Sequence, residues 1–169
     1  MNNFYYQIPT EIYFGKGQIK HLNEIIKRFG DKILLVYGRG SIKRSGLYQT
    51  LQTIFARNNI KVFELAGVEP NPRMALVRTG IELCKKNNVD VILAVGGGSA
   101  IDSAKVISAG AKYDGDTWDL VLNPSLIKDV TPVVTIDNRR QWIGDGPICR
   151  DFQGREQRQD RSFQSIILS

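Results

Sequence analysis

The stretch with the most chemistry in it is Ala94-Val95-Gly96-Gly97-Gly98-Ser99-Ala100-Ile101-Asp102. An apolar run enters three consecutive glycines, and a helical pattern leaves them. Glycine lets the backbone turn tightly and lets an anion approach main-chain N–H groups with no Cβ in the way. A helix N-terminus adds unpaired donors and the positive end of a dipole. Gly96, Gly97, Gly98 and Ser99 are therefore candidates to hold a phosphate, Ser99 through its hydroxyl or as the helix cap. The alternative is a plain tight turn, which does not require three glycines in a row. The spacing is not Gly-x-Gly-x-x-Gly, so the nucleotide class stays open on these residues. Asp102 and Lys105 follow one helical turn in. They either brace the loop or form a surface i,i+3 ion pair worth roughly a few tenths of a kcal/mol. Taken alone, the two residues favour the surface pair.

A second glycine-bearing loop is Tyr37-Gly38-Arg39-Gly40-Ser41-Ile42-Lys43. If the first loop holds a pyrophosphate, an adenosine ribose would lie against Gly38, Arg39, Gly40 and Ser41. An acidic residue here would bind the ribose 2′-hydroxyl and repel a 2′-phosphate. The loop has none, and Arg39 and Lys43 offer positive charge instead. The expectation is NADP(H) in preference to NAD(H), against the alternative that Arg39 is simply exposed.

Strands and helices must alternate to position these loops. Lys32–Tyr37 is a short apolar run, hence a buried strand. Ile42–Arg57 has apolar residues at helical spacing, with Ser41 as its expected N-cap. Ile60–Leu65 is the next strand. Asn71-Pro72 predicts a cap followed by Pro at the first helical position, and a helix to about Lys86. Val89–Val95 is a third strand, Ser99–Lys112 a helix, and Pro132–Ile136 the start of a further strand. Asp116-Thr117-Trp118 reads as a cap and a short helix anchored by its aromatic. Phe4–Tyr13 is expected to add an edge hairpin or an antiparallel strand. This order implies an α/β fold with a mostly parallel sheet covered on both faces. Such sheets bind ligands at the carboxyl ends of their strands.

The 169 residues suffice for one domain with a core. The net charge of +6 comes from scattered basic residues, with no aromatic-basic stripe, so a nucleic-acid partner is not expected. No apolar run is long enough to span a bilayer, and the N-terminus lacks the basic start and apolar stretch of a secretory signal. Neither a membrane partner nor export is expected, and the cytoplasm is the default. Cys84 and Cys149 are too few and too far apart for a metal knuckle, and Cys84 reads as a buried structural thiol. His21 is the only histidine and reads as a surface residue on a helix from Gln18 to Phe29. No catalytic residue and no metal ligand can be named.

These segments, in this order, resemble the iron-containing alcohol dehydrogenases, most closely the bacterial butanol dehydrogenases. The similar pieces are Ile8-Pro9-Thr10 with Phe14-Gly15-Lys16-Gly17, then Tyr37–Lys43, then Gly67-Val68-Glu69-Pro70-Asn71-Pro72, then Gly96–Lys105, then Tyr113–Asp119. The Gly-Gly-Gly-Ser loop alone would also allow a polyol dehydrogenase or a dehydroquinate-synthase-like relative. The resemblance implies a Rossmann-like NAD(P)-binding N-terminal domain and an all-helical C-terminal domain holding a divalent metal, Fe2+ or Zn2+, through one Asp and three His. It implies hydride transfer between a small primary alcohol and its aldehyde, and a homodimer for the full-length enzyme. By the same resemblance Asn71 joins the cofactor positions, with Asp102 and Lys105.

The chain changes character near residue 136. The basic residues are 11 Lys and 6 Arg up to Ile136, then no Lys and 6 Arg from Asp137 on. Glutamine becomes dense at Gln141, Gln153, Gln157, Gln159 and Gln164, and apolar residues show no period until Ile166-Ile167-Leu168. One permitted coding of Asp137–Asp151, read one base later, gives Thr-Ile-Ala-Ala-Asn-Gly-Ser-Glu-Met-Asp-Pro-Phe-Ala-Val. That string resembles the Thr-rich, Gly-Ser-Glu-ending loop that comes after this strand in the family. The expectation is a truncated domain: 1–136 binds the dinucleotide, 137–169 is an out-of-frame, irregular and disordered tail, and the helical metal-binding domain is absent. A non-catalytic nucleotide-binding fragment is the matching alternative to an active alcohol dehydrogenase. The strand from Pro132 is expected to expose apolar surface meant for the missing half.

Overall fold

A computed structural model of the chain describes residues 10–15, 17–70, 73–137, 148–150, 156–158 and 165–168. The elements run β1 (Ile12–Phe14), α1 (Leu22–Lys27), β2 (Lys32–Gly38), α2 (Ser41–Arg44), α3 (Leu47–Arg57), β3 (Lys61–Val68), α4 (Met74–Asn87), β4 (Val91–Gly96), α5 (Gly98–Ala111), α6 (Thr117–Leu122) and β5 (Val133–Asp137). Three short strands complete the series: β6 (Ile148–Arg150), β7 (Glu156–Arg158) and β8 (Ser165–Leu168).

The main sheet has the order β1-β8-β5-β4-β2-β3. Its core, β3-β2-β4-β5, is parallel throughout. Alternate residues of these strands serve two cores. Ile33, Leu35, Tyr37, Leu93, Val95 and Ile136 face α1, α2 and α3. Leu34, Val36, Ile92, Ala94 and Val133 face α4 and α5. The apolar runs are buried on both sides, as a parallel sheet demands.

The chain leaves β2 toward one face and leaves β4 toward the other. Since β2 and β4 are neighbours, their connections diverge between them. That is the switch point of a doubly wound sheet, and it opens a crevice at the carboxyl ends of these two strands.

Several local expectations differ from the structure. The helix read as Ile42–Arg57 is two pieces. It breaks at Gly46, whose φ of 76° is left-handed and is accessible to glycine at little cost. Ser41 is the first residue of α2 and not its cap; Gly40 stands at the cap with no side-chain bond. The α4 cap is Arg73 in extended backbone, two residues beyond the predicted cap. Asn71 and Pro72 lie outside the described residues. Asp116 does cap α6, accepting from the Trp118 N–H at 2.8 Å. Trp118 is no anchor, however, being 49% exposed; Thr117 and Leu120 are the residues that α6 buries.

The strand β5 exposes little apolar surface: Val133, Val134 and Ile136 are all buried. Helices cover its faces, and β8 pairs antiparallel along its edge, Thr135 opposite Ile167. Exposed apolar side chains lie just upstream, at Trp118, Val121, Leu122, Ile127 and Val130, and elsewhere at Ile12, Phe14 and Phe29. β8 also pairs antiparallel with β1, Tyr13 opposite Ile166. The part of the tail that joins the main sheet is therefore its one apolar run. β6 and β7 pair only with each other. Among the described residues no helix is long and apolar enough to cross a membrane.

Candidate nucleotide-binding site

The two glycine loops meet at the switch point. Tyr37 of β2 lies opposite Val95 of β4, so Gly38 and Gly96 leave the sheet side by side. Gly96 has φ +149°, and a Cβ there would meet the Ala100 Cβ at 3.3 Å. Glycine is thus required for the chain to turn from β4 into α5. Gly97 is the N-cap and makes no side-chain bond; Gly98 and Ser99 open the helix. The Gly97 carbonyl accepts from the Ala100 and Ile101 N–H groups. The N–H groups of Gly98 and Ser99 precede any intrahelical acceptor and are the donors a helix start leaves over. Ser99 supplies no cap, and its hydroxyl has no partner among the described residues. A cradle of glycines and free N–H groups at the start of a 14-residue helix fits a pyrophosphate.

Asp102 and Lys105 form no ion pair with each other among the described residues, contrary to the surface-pair reading. The Asp102 carboxylate leans back along the helix, with Oδ2 3.9 Å from where a Gly98 Cβ would stand. Helical side chains tilt toward the N-terminus, and the helix dipole favours a carboxylate there.

The second loop is more heavily partnered than its sequence suggests. Val68, the last residue of β3, pairs with Gly38, and Glu69 comes directly after it. The Arg39 guanidinium donates to the Glu69 carboxylate. Arg73 Nε lies 4.0 Å from the same group. The Arg39 hydrogen bond, then its charge, holds the Glu69 carboxyl below its ordinary range. Lys43 is not free either: its ammonium sits 5.9 Å from the Tyr37 ring centre and 5.1 Å from that of Tyr48. Both hydroxyls donate to Glu64, at 2.6 Å from Tyr37 and 2.8 Å from Tyr48, and Gln52 adds a bond at 3.2 Å. Burial first, and Glu64 second, raises the Tyr37 phenol above its usual value.

Glu69 and Glu64 are the residues that local reading missed. Glu69 carries a usable signal. It is an acidic residue directly after β3, the strand that pairs with β2. Glu64 carries none, because only the pairing of β3 with β2 brings it to Tyr37.

His21 is one-third exposed, with Nδ1 4.0 Å from Glu24 and its ring 5.2 Å from that of Tyr13. Cys84 is buried in the α4 side of the core. Burial pushes its thiol up to about 12. Among the described residues no three His, Cys, Asp or Glu side chains gather as metal ligands do. A cleft of about 280 Å³, lined by Lys112, Tyr113, Leu126 and Asp129 among others, lies at the far end of α5. That is roughly 20 Å from the glycine loop at 1.5 Å per residue.

The fold is a doubly wound α/β sheet with two glycine loops at its switch point. The chain belongs to the iron-containing alcohol dehydrogenase family, whose sequence model matches residues 9–137. It is 56% identical over 136 residues to NADH-dependent butanol dehydrogenase A of Clostridium acetobutylicum, covering 80% of this chain and 35% of that protein. It is 39% identical over 123 residues to the NADPH-dependent aldehyde reductase YqhD of Escherichia coli, covering 72% and 31%. The crystal structure of NADH-dependent butanol dehydrogenase A from Thermotoga maritima matches with a TM-score of 0.74 at 42% identity, over 79% of this chain and 34% of that one. The chain thus spans about a third of the length of these relatives. Their names include both nicotinamide dinucleotides, so they leave the preference for NADP(H) open.

Proposed function

We propose that residues 1–136 bind a nicotinamide dinucleotide and belong to an enzyme interconverting a small primary alcohol and its aldehyde. The observation that carries this is the switch point itself. Two glycine loops, Gly38–Ser41 and Gly96–Ser99, lie side by side where the connections of β2 and β4 diverge. In this reading the N–H groups of Gly98 and Ser99 hold the pyrophosphate, and Gly38, Arg39, Gly40 and Ser41 border the adenosine ribose. Asn71, Asp102 and Lys105 are assigned to the cofactor through family resemblance alone. The dinucleotide would supply the hydride acceptor or donor, and the chain's own residues bind and orient it. The butanol and aldehyde named for the relatives support the substrate class.

Titration calorimetry with NADH and NADPH tests the reading. Saturable binding by the purified chain, abolished by Gly98→Asp with the fold retained by circular dichroism, is the expected result. A variant that binds as well as the parent overturns it.

A second reading concerns the chain as it stands. The described residues offer no metal-ligand set, and no step through a metal is derived from them. The family model matches residues 9–137, and one relative aligns over 92% of the chain; the change in lysine and glutamine use falls where the model's match ends. The change in residue use supports the reading that residues from 137 on are out of frame. Sequencing the DNA past codon 136 decides the frame: an alternative frame that does not lead toward a helical domain with three histidines rules it out.

A further inference from the structure

Within the Gly38 loop the fold gives Arg39 and Lys43 each a partner; Arg44, whose Nη1 lies 3.4 Å from where a Gly40 Cβ would stand, and Arg73, 4.0 Å from Glu69, border it as well. Lys43 rests on the rings of Tyr37 and Tyr48, whose hydroxyls are fixed by Glu64. Arg39 is taken by Glu69, which extends from β3 beside the loop. Arg39 and Glu69 are both solvent-accessible, at 73% and 36% of the side chain, so an incoming ligand can reach either. A 2′-phosphate arriving here would have to separate Arg39 from a carboxylate and then lie beside that carboxylate. A 2′-hydroxyl would meet an acceptor already in place.

We infer that Glu69 is the residue that sets cofactor choice, holding Arg39 away from a 2′-phosphate and selecting NAD(H) over NADP(H). This rests on the dinucleotide reading above and reverses the preference that the loop alone suggests. Like charges at hydrogen-bond range oppose each other, while an arginine freed of its carboxylate binds phosphate through charge-assisted bonds. The Glu69→Gln substitution keeps the shape and removes the charge. Arg39 should then serve as a phosphate ligand.

The experiment is calorimetry with NADH and NADPH on the parent chain, Glu69→Gln, Arg39→Gln and the double variant, with the fold of each checked by circular dichroism. The parent should favour NADH. Glu69→Gln should move the NADPH-to-NADH affinity ratio toward NADPH by about tenfold, the size of one charged contact. Adding Arg39→Gln should cancel that gain. Raising the salt should shrink it, because the interaction is between exposed charges. Binding with a ratio that Glu69→Gln leaves unchanged, or a parent that favours NADPH, overturns this inference and leaves the dinucleotide reading standing. Binding of neither dinucleotide by the parent overturns both.

Discussion

The Asp90 carboxylate, just before β4, accepts the backbone N–H of Lys32, at the start of β2, at 2.9 Å, and that of Asp31 at 3.0 Å. One side chain thereby ties the lower ends of the two strands whose upper ends carry the glycine loops. The same carboxylate fills the space beside Gly30, where φ is +152° and a Cβ would fall 2.2 Å from Asp90 Oδ2. Gly30→Ala should therefore destabilise the chain by about 2 kcal/mol or more. Asp90→Ala should cost about 1–3 kcal/mol by stranding two N–H groups. Urea unfolding followed by circular dichroism measures both. An unchanged midpoint would show that the staple does not hold the strands in register.

Helices α4 and α5 approach closely through glycines. A Cβ on Gly80 would lie 2.5 Å from Ile107 Cδ1 and 2.8 Å from Leu65 Cδ2; one on Gly110 would lie 2.4 Å from Ile81 Cδ1. Alanine normally favours a helix over glycine by about 1 kcal/mol. Here overpacking of about 1–3 kcal/mol opposes it. Gly80→Ala should be destabilising, and adding Ile107→Val, which removes the clashing Cδ1, should restore part of the loss.

Cys84 should be inert in the folded chain. Its thiol is buried and pushed up to about 12, so the nucleophilic thiolate is scarce near neutral pH. In a Cys149→Ser background, labelling by a disulfide reagent should proceed only as fast as the core opens and become immediate in denaturant. Rapid labelling of the native chain would contradict the packing described for α4.

Asp116 gives a pH dependence of known sign. The Trp118 N–H first, and the Arg78 guanidinium at 3.0 Å second, hold its carboxyl below the ordinary 3.8. A carboxyl lowered in the fold stabilises it above the unfolded value, and that stabilisation fades as pH falls through the folded value. The melting temperature of Asp116→Ala should lie below that of the parent at neutral pH, and the gap should close on acidification below about pH 4. A gap that is constant with pH would mean that the ionised carboxylate is not what holds α6.

Ser99→Ala separates binding from folding. Since Ser99 makes no cap bond, its loss should leave the melting temperature unchanged. Losing one hydroxyl contact to a phosphate should weaken dinucleotide binding by about fivefold. Equal binding would remove Ser99 from the site.

The sheet core was legible because the runs at Lys32–Tyr37 and Val89–Val95 are apolar on both faces, a pattern that local composition carries. The Gly96–Ser99 turn was legible because glycine's backbone freedom is a property of the residue itself. What escaped was long-range. The cations at Arg39 and Lys43 looked available because Glu69 and Glu64 lie at least 21 residues further along the chain, brought back by β3. The break at Gly46 escaped because a single glycine within a helical pattern is a weak signal. The apolar surface was expected on β5 and is found on α6 and the segment after it, because strand pairing at the β5 edge could not be read from periodicity.

Among the described residues β1 pairs with β8 alone. Order at Ile12–Phe14 is thereby made to depend on Ser165–Leu168, within the stretch proposed to be read out of frame. Amide exchange at positions 12–14 becomes a reporter of the sequence beyond residue 137. Any change in that distal stretch registers in the strand Ile12–Phe14 that pairs with it.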